Sequence, residues 1–462
     1  MIVPHTRLLV WVALVVVPFA LLGALEPRAG WICVSAISGL MALAIVDAFR
    51  ALRNSRGFQV ALPSTVRMSR DRPAQIEVRL RNPSPTAREV RLALVLPREI
   101  DSPTEDARIT LPAGSEWSRV QWPCVPRHRG SYTVSSACLE TPSALGFWAA
   151  RTAIQTASEV RVYPNLANER KNLAALFLKR GLFGLQSQRQ VGKGREFEKL
   201  REYAPGDGFD EIHWKATARR GHPITKVFQI ERTQEVYVIL DISRLSARNV
   251  NPATPQRDTG QETEVGQEET LNQGTSTLER FITAALVLGL AAEQQGDLFG
   301  LLTFSDRIDR FLRARNGKSH FSACRDALYT LQPRIVSPDY EELSTFIRLR
   351  LRRRALLVFL TSLDDPVLAR SFVRSLSLVC RQHLVLVNMI QPPGVEPVFS
   401  SPDVSSIDDL YQHLAGHLRW QKLRTLEKVL QRRGVQFSLL ENERLSANLV
   451  SRYLRVKRRQ LL

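Results

Sequence analysis

Glu235-Val-Tyr-Val-Ile-Leu-Asp241-Ile-Ser243 is the stretch on which the fold turns. A short, nearly unbroken apolar run ending in polar residues suits a strand covered on both faces, since a half-exposed strand would alternate. Leu298–Phe304, Ala355–Thr361, Leu384–Ile390 and Gln436–Leu440 repeat the pattern. Helical spacing fills the intervals at Leu278–Gln295, Tyr340–Arg353, Pro366–Gln382 and Ser406–Arg433. Strands alternating with helices predict an α/β doubly wound parallel sheet over residues 233–462. In such sheets ligands gather at the carboxyl ends of the strands. Asp241 with Ser243, and Thr361 followed by Asp364 and Asp365, stand at two of those ends. A carboxylate with nearby hydroxyls offers hard oxygen ligands to Mg²⁺, while the plainer role for such residues is turn and helix capping. The stretch 249–277, rich in Gln, Glu, Thr, Asn and Gly, is expected to be a disordered, acidic loop.

Toward the N-terminus the period changes. Across 57–164, Ala74–Leu80, Glu89–Leu96, Glu116–Trp122 and Ser131–Ala137 alternate with period two between Pro-, Asn- and Gly-bearing turns, which predicts a small antiparallel β-sandwich. Within residues 1–56, Leu8–Leu25 and Ala29–Val46 carry no charge. Each makes a helix of about 27 Å, against a hydrocarbon core of about 30 Å. Glu26-Pro27-Arg28 separates them, so two transmembrane helices in a hairpin are expected, with Trp11 and Trp31 at the interfaces. Arg7 precedes the pair and Arg50, Arg53 and Arg56 follow it, which places both ends and the soluble domains in the cytoplasm. A cleaved signal peptide would be followed by soluble sequence, and here a second apolar run follows at once.

The chain has 462 residues, 64 Lys and Arg against 45 Asp and Glu, and a net charge of +19. With 44% hydrophobic and 24% charged residues it is neither collagen-like nor wholly disordered. Five scattered cysteines without a CxxC pair exclude a disulfide framework and fit a reducing compartment. The charge asks for an anionic partner. The basic runs Arg348–Arg354 and Arg452–Arg459 lack interleaved aromatics, so no nucleic acid is expected, and beneath a membrane the match is to anionic headgroups. His413 and His417 share a helix face, but the Glu of a zinc HExxH motif is missing. No Gly-x-Ser-x-Gly elbow or Cys/His nucleophile pairing appears, and the protein is expected not to be an enzyme.

Residues 165–232 connect the two soluble domains. Gly192 and Gly194 do not form a phosphate loop, and a Pro205-Gly206-Asp207 turn followed by Trp214 and Lys215 suits the locking of one domain on another. The run GREFEKLREYAPGD, then IHWKATAR and ERTQEVYVILDIS, closely resembles the signature of the bacterial domain of unknown function 58 family. Glu196, Phe197, Leu200, Arg201, Tyr203, Pro205, Gly206, Asp207, Trp214, Lys215, Ala218 and Arg219 match it, and Asp210 stands where the pattern usually has Arg. The resemblance implies a membrane-anchored protein whose last domain is von Willebrand factor type A-like. It also implies work beside a MoxR-type AAA+ ATPase in a chaperone-like or assembly role. The metal-ion-dependent adhesion motif of type A domains is DxSxS. Asp241 and Ser243 match it, Leu245 replaces the last Ser, and the later Asp falls at Ser362, two residues before Asp364. Mg²⁺ wants near-octahedral oxygens, which displaced side chains supply poorly. The expectation is a membrane-tethered interaction protein, with a divalent-metal-dependent ligand-binding module as the alternative.

Overall fold

The computed structural model describes residues 1–25, 30–54, 57–82, 84, 86–114, 117–179, 191–205, 208–229, 234–250, 275–398, 400 and 406–458. These form two units, Met1–Asn165 and Leu166–Leu462.

The first unit opens with a short strand, β1 (Ile2–Pro4), then α1 (Thr6–Trp11), a π turn (Val12–Val16) and α2 (Val17–Leu25). The π turn sits immediately before Pro18, whose ring and missing N–H interrupt the i→i−4 ladder. Helix α3 (Gly30–Asn54) follows. Among the described residues one helix, Gly30–Arg53, is long and apolar enough to cross a membrane, at mean hydropathy 2.1, whereas Thr6–Leu22 is a shorter apolar helix.

Nine further strands follow: β2 (Gln59–Ala61), β3 (Thr65–Ser69), β4 (Ala74–Arg81), β5 (Arg88–Leu94), β6 (Ile100–Asp101), β7 (Ala107–Leu111), β8 (Ser118–Pro126), β9 (Gly130–Pro142) and β10 (Trp148–Tyr163). They make two sheets, β1-β10-β9-β5-β7 with β3 beside β10, and β2-β4-β8-β6. Ile76, Val78, Leu80 and Trp122 of the smaller sheet share one core with Val90, Leu92, Val134, Leu139, Val160 and Val162 of the larger. The period-two pattern of β4 is the cause, because its odd positions face outward as Gln, Glu and Arg.

Both ends of the helical pair are fastened to this sandwich. Ile2 lies opposite Ala150 in an antiparallel pairing, and the Met1 ammonium donates to the Arg151 carbonyl at 3.0 Å. At the far end of α3, Trp148 Nε1 donates to the Ala44 carbonyl at 2.8 Å. The Asp47 carboxylate, 1% exposed, accepts Ser143 Oγ at 2.5 Å and the backbone N–H of Leu145 at 3.2 Å and of Phe147 at 3.4 Å.

The second unit contains α4 (Ala167–Lys179), β11 (Val191–Glu202), α5 (Trp214–Arg220), β12 (Ile224–Gln229), β13 (Glu235–Asp241), α6 (Thr277–Gln294), β14 (Leu298–Phe304), β15 (Ile308–Arg315), α7 (Lys318–Leu328), α8 (Tyr340–Arg350), β16 (Leu356–Leu360), α9 (Pro366–Val379), β17 (Leu384–Ile390), α10 (Ile407–Arg432), β18 (Gln436–Leu440) and α11 (Leu445–Arg458). Its large sheet runs β15-β14-β13-β16-β17-β18, parallel except for the antiparallel edge strand β15. Val236, Val238 and Leu240 point into a core built with α4, α6, α7 and α11. Tyr237 and Ile239 point into the opposite core, with α8, α9 and α10. Covering on both faces explains why these strands are apolar at every position.

The elements of the second unit that went unread in the sequence are β15, α7 and α11 and, in the connecting stretch, α4, β11, α5 and β12. The first, Ile-Asp-Arg-Phe-Leu-Arg-Ala-Arg, carries four charges, which an edge strand tolerates because one side of it is open. The expected loop at 249–277 falls largely outside the described residues. Its flanks are paired: Val250 N–H donates to the Thr275 carbonyl at 3.0 Å and Thr277 N–H to the Arg248 carbonyl at 2.8 Å.

Helix α11 is held by a buried charge cluster. The fully buried carboxylate of Asp297 accepts Lys457 Nζ at 2.8 Å, the Tyr453 hydroxyl and the Gln234 N–H at 3.1 Å. Burial and the adjacent carboxylate push the Tyr453 phenol well above its usual range, so it stays a donor. Removing one partner of a buried ion pair leaves the other unpaired, at about 3–5 kcal/mol. Asp297→Ala is therefore expected to lower the unfolding free energy of the full chain in detergent by about 3 kcal/mol, read by urea denaturation. An unchanged midpoint would show that α11 does not depend on this cluster.

Candidate functional site

The central strands β13 and β16 lie side by side, and the chain leaves them toward opposite edges of the sheet. A crevice at their carboxyl ends is where open α/β sheets place ligands. Asp241 and Ser243 come from one strand end and Thr361 and Asp364 from the other, so residues 120 positions apart meet.

Asp241 is fully buried. Its Oδ1 accepts the Ser243 N–H at 2.9 Å and its Oδ2 accepts the Thr361 hydroxyl at 2.6 Å. Burial raises its pKa, opposed by the hydrogen bonds from Ser243 and Thr361. Ser243 takes the Leu245 N–H on its hydroxyl at 3.4 Å, and its carbonyl accepts Ser246 Oγ at 2.8 Å. Asp364 Oδ2 pairs with the Arg248 guanidinium. The neighbouring Asp365 caps α9, accepting the Val367 N–H at 2.8 Å. Tyr340 stacks edge-on against Phe372 behind the site, and its phenol is raised by burial and by the Asp241 charge.

These donors do not suit a divalent cation. Both Asp241 oxygens already accept hydrogen bonds, a guanidinium takes Asp364 Oδ2 and leaves Oδ1 buried without a hydrogen bond, and the hydrophobic Leu245 stands where a third hydroxyl is needed. Among the described residues no group of three or more His, Cys, Asp or Glu side chains is arranged to hold a metal ion. The strand end is instead a hydrogen-bonded platform with two exposed cations, Arg244 and the Asp364-paired Arg248, beside the flanks of residues 251–274. His417 and His413 do not share a ligand either. The Nδ1 of His417 accepts the Val398 N–H at 3.1 Å, and its ring stacks on Trp420.

The signature residues fall on a hairpin. Strands β11 and β12 pair antiparallel, with Glu196 opposite Gln229 and Phe197 opposite Phe228, and α5 lies in the connection. His213 caps α5, its Nδ1 accepting the Ala216 N–H at 3.0 Å, and the Thr217 hydroxyl accepts the Ile224 N–H at 3.1 Å. Gly221 closes the helix at φ 72°, a conformation glycine adopts without strain. The Tyr203 ring lies 6.3 Å from Phe209, while Leu200, Arg201, Trp214, Lys215, Ala218 and Arg219 are exposed. Gly206 and Asp207 lie outside the described residues. The Trp214 indole is 68% exposed on this hairpin.

One pairing escaped the sequence reading. Cys324 Sγ lies 3.5 Å from His320 Nε2, one helical turn away, and that nitrogen is also 2.7 Å from the Phe299 carbonyl. The spacing of four was visible, but the burial that disarms it was not. Cys324 is fully buried and its thiol is pushed up to about 12, so no thiolate is available as a nucleophile.

Comparison with known proteins follows the same lines. The family model described as Protein of unknown function DUF58 matches residues 199–257 and 264–396, in agreement with the resemblance of the signature. Uncharacterized proteins of Mycobacterium bovis and Mycobacterium tuberculosis are 23% identical over 222 residues, covering 47% of this chain and 60% of theirs. The chain thus spans less than two thirds of the curated relatives it matches. Among solved structures, an aerotolerance-related membrane protein from Bacteroides fragilis aligns at 13% identity and TM-score 0.29, over 49% of this chain and 100% of its own. The conserved hypothetical protein BatB from Bacteroides thetaiotaomicron aligns at 15% and 0.28, over 48% and 99%. Scores this low carry no argument about the fold.

Two outcomes follow from the geometry. Thr361→Val strands a buried carboxylate oxygen and is expected to cost about 1–3 kcal/mol in urea denaturation, with 5 mM Mg²⁺ leaving both midpoints in place. A Mg²⁺-dependent rise in the wild-type midpoint would show that the site takes the ion after all. Cys124 and Cys380 are raised to about 11 and Cys324 to about 12 by burial, whereas Cys138 is exposed. Iodoacetamide at pH 8 should therefore modify Cys138 and spare those three, because a raised thiol pKa keeps them protonated until well above that pH. Mass spectrometry of the tryptic peptides reads the result.

Proposed function

We propose that this chain, whose DUF58 region covers residues 199–257 and 264–396, is a membrane-tethered interaction protein of the cytoplasmic membrane. Two helices span the bilayer, and a von Willebrand factor type A-like unit offers its strand-end surface to a protein partner. The partner class that the family resemblance implies is a MoxR-type AAA+ ATPase, in a chaperone-like or assembly role.

The observation that carries the membrane part is the fastening of both ends of the helical pair. Strand β1 pairs with β10 of the sandwich, and Asp47, in the last third of α3, is bound by the same sandwich. A sheet cannot form across a bilayer from its partner strand, so the chain between Met1 and Asp47 crosses an even number of times. An apolar α3 with Trp31 87% exposed at its start favours two crossings over none. Arg7, Arg50 and Arg53 on the sandwich side support a cytoplasmic orientation. The binding part draws support from the strand end itself, where hydrogen bonds hold a surface that carries the exposed cations Arg244 and Arg248.

Reporter fusions and capture test the two parts separately. Alkaline phosphatase fused after Arg28 should be active and fused after Arg458 inactive, while activity at both positions would refute the hairpin. Purified MoxR-type ATPase from the same cell should be retained by the full chain in detergent, and Arg248→Glu should weaken retention about tenfold. Equal retention by the variant would remove the strand end from the interface, and no retention by either would remove the ATPase.

A further inference from the structure

Reaching away from the strand-end site, with which it shares Asp364, a groove of about 760 Å³ runs between α9 and α10. Its floor is apolar, with Val373 from α9 and Leu418, Leu426 and Val429 from α10. Leu418 is 57% exposed and Val429 36%. Its rim is basic: Arg370 and Arg374 on one wall face Lys422 on the other, and Asp364 is the one acidic lining residue among those described. The imbalance extends beyond the rim. Helix α9 and residues 419–433 together hold eight Lys and Arg and one acid.

The walls are fixed by their own contacts. Leu423, at the bottom of the groove, and Leu430 anchor the adjoining face of α10 in the core. A Cβ on Gly416 would lie 1.9 Å from the Gly394 carbonyl oxygen, so this helix sits directly on backbone and only glycine fits. The Arg433 guanidinium donates to the Val373 carbonyl at 2.5 Å and ties the walls together at one end. From Leu418 to Arg433 the lining covers about four helical turns, or about 22 Å. Above Leu418 the apolar stripe continues along α10 through Leu414, Tyr411, Leu410 and Ile407, all exposed.

We infer that this groove docks an amphipathic helix from a protein partner, with leucine-type anchors on one face and acidic residues on its flanks. The fixed walls, the apolar floor and its length match the helix-in-groove mode of recognition, and the cationic rim selects acidic flanks by charge complementarity. The proposal concerns a second contact surface and stands whether or not the strand-end partner is an ATPase.

The test uses the full chain in detergent and a fluorescein-labelled helical peptide of about 18 residues, with Leu at i, i+3, i+4 and i+7 and Glu on both flanks. Its twin carries Lys in place of every Glu. Anisotropy should show the acidic peptide binding at least about tenfold tighter than the twin. The exposed-rim double variant Arg374→Glu/Lys422→Glu should reverse that preference, and Leu418→Glu should weaken binding of the acidic peptide about tenfold without moving the thermal midpoint. Failure of the acidic peptide to bind, equal binding of the two peptides, or binding untouched by the variants would each overturn the inference. Dihexanoyl phosphatidylglycerol bound by the wild type and lost in the double variant, with no peptide bound, would assign the groove to lipid and overturn it as well.

Discussion

A buried carboxylate cannot be left without hydrogen bonds, and Asp47, almost wholly buried, is where that constraint enters the molecule. It closes the apolar run of α3, and the sandwich supplies a hydroxyl and two backbone N–H groups in the loop between β9 and β10 to receive it. The same loop donates the Trp148 indole to α3, and its following strand pairs with β1. Three kinds of bond thus converge on one corner of the sandwich. The helical pair is consequently not a flexible tether but part of the first unit, and its two ends share a side.

The second unit handles buried polarity in the same manner at other places. Asp297 gathers a lysine, a phenol and a backbone N–H to hold the last helix, and Asp241 divides its two oxygens between Ser243 and Thr361. Fully partnered, a buried carboxylate rigidifies what it joins; partly partnered, it would seek a cation. At the strand end Asp241 is partnered by protein groups on both oxygens, while Asp364 is partnered on Oδ2 alone, by the Arg248 guanidinium, and its Oδ1 is buried without a hydrogen bond.

Much of this was legible in the residues. Strand after strand of the second unit is apolar at consecutive positions because helices cover both faces, and capping residues mark helix starts where Ser406, Asp365 and Asp339 stand. The charged edge strand β15 and the long strand β10 escaped, and β9 was read only over Ser131–Ala137, because an edge or a solvent face relaxes the pattern that identifies a buried strand. The pairing of Cys324 with His320 was hidden for a different reason. Spacing brings the two side chains to one helix face, but only burial determines whether a thiol ionises.

The sequence by itself determined the local periods: apolar helices at the start, alternating strands next, continuous apolar strands and amphipathic helices last. It also determined the long signature between Gly194 and Arg219, whose residue identities carry the family resemblance. The tertiary structure alone decided which distant groups meet. Asp47 reaches residues about a hundred positions away, Asp241 reaches Thr361, Asp297 reaches Lys457, and the basic wall of α9 faces that of α10. The physical reason is that periodicity is a property of neighbours along the chain. Hydrogen-bond satisfaction and charge balance, by contrast, are settled by whatever the fold brings within about 3 Å.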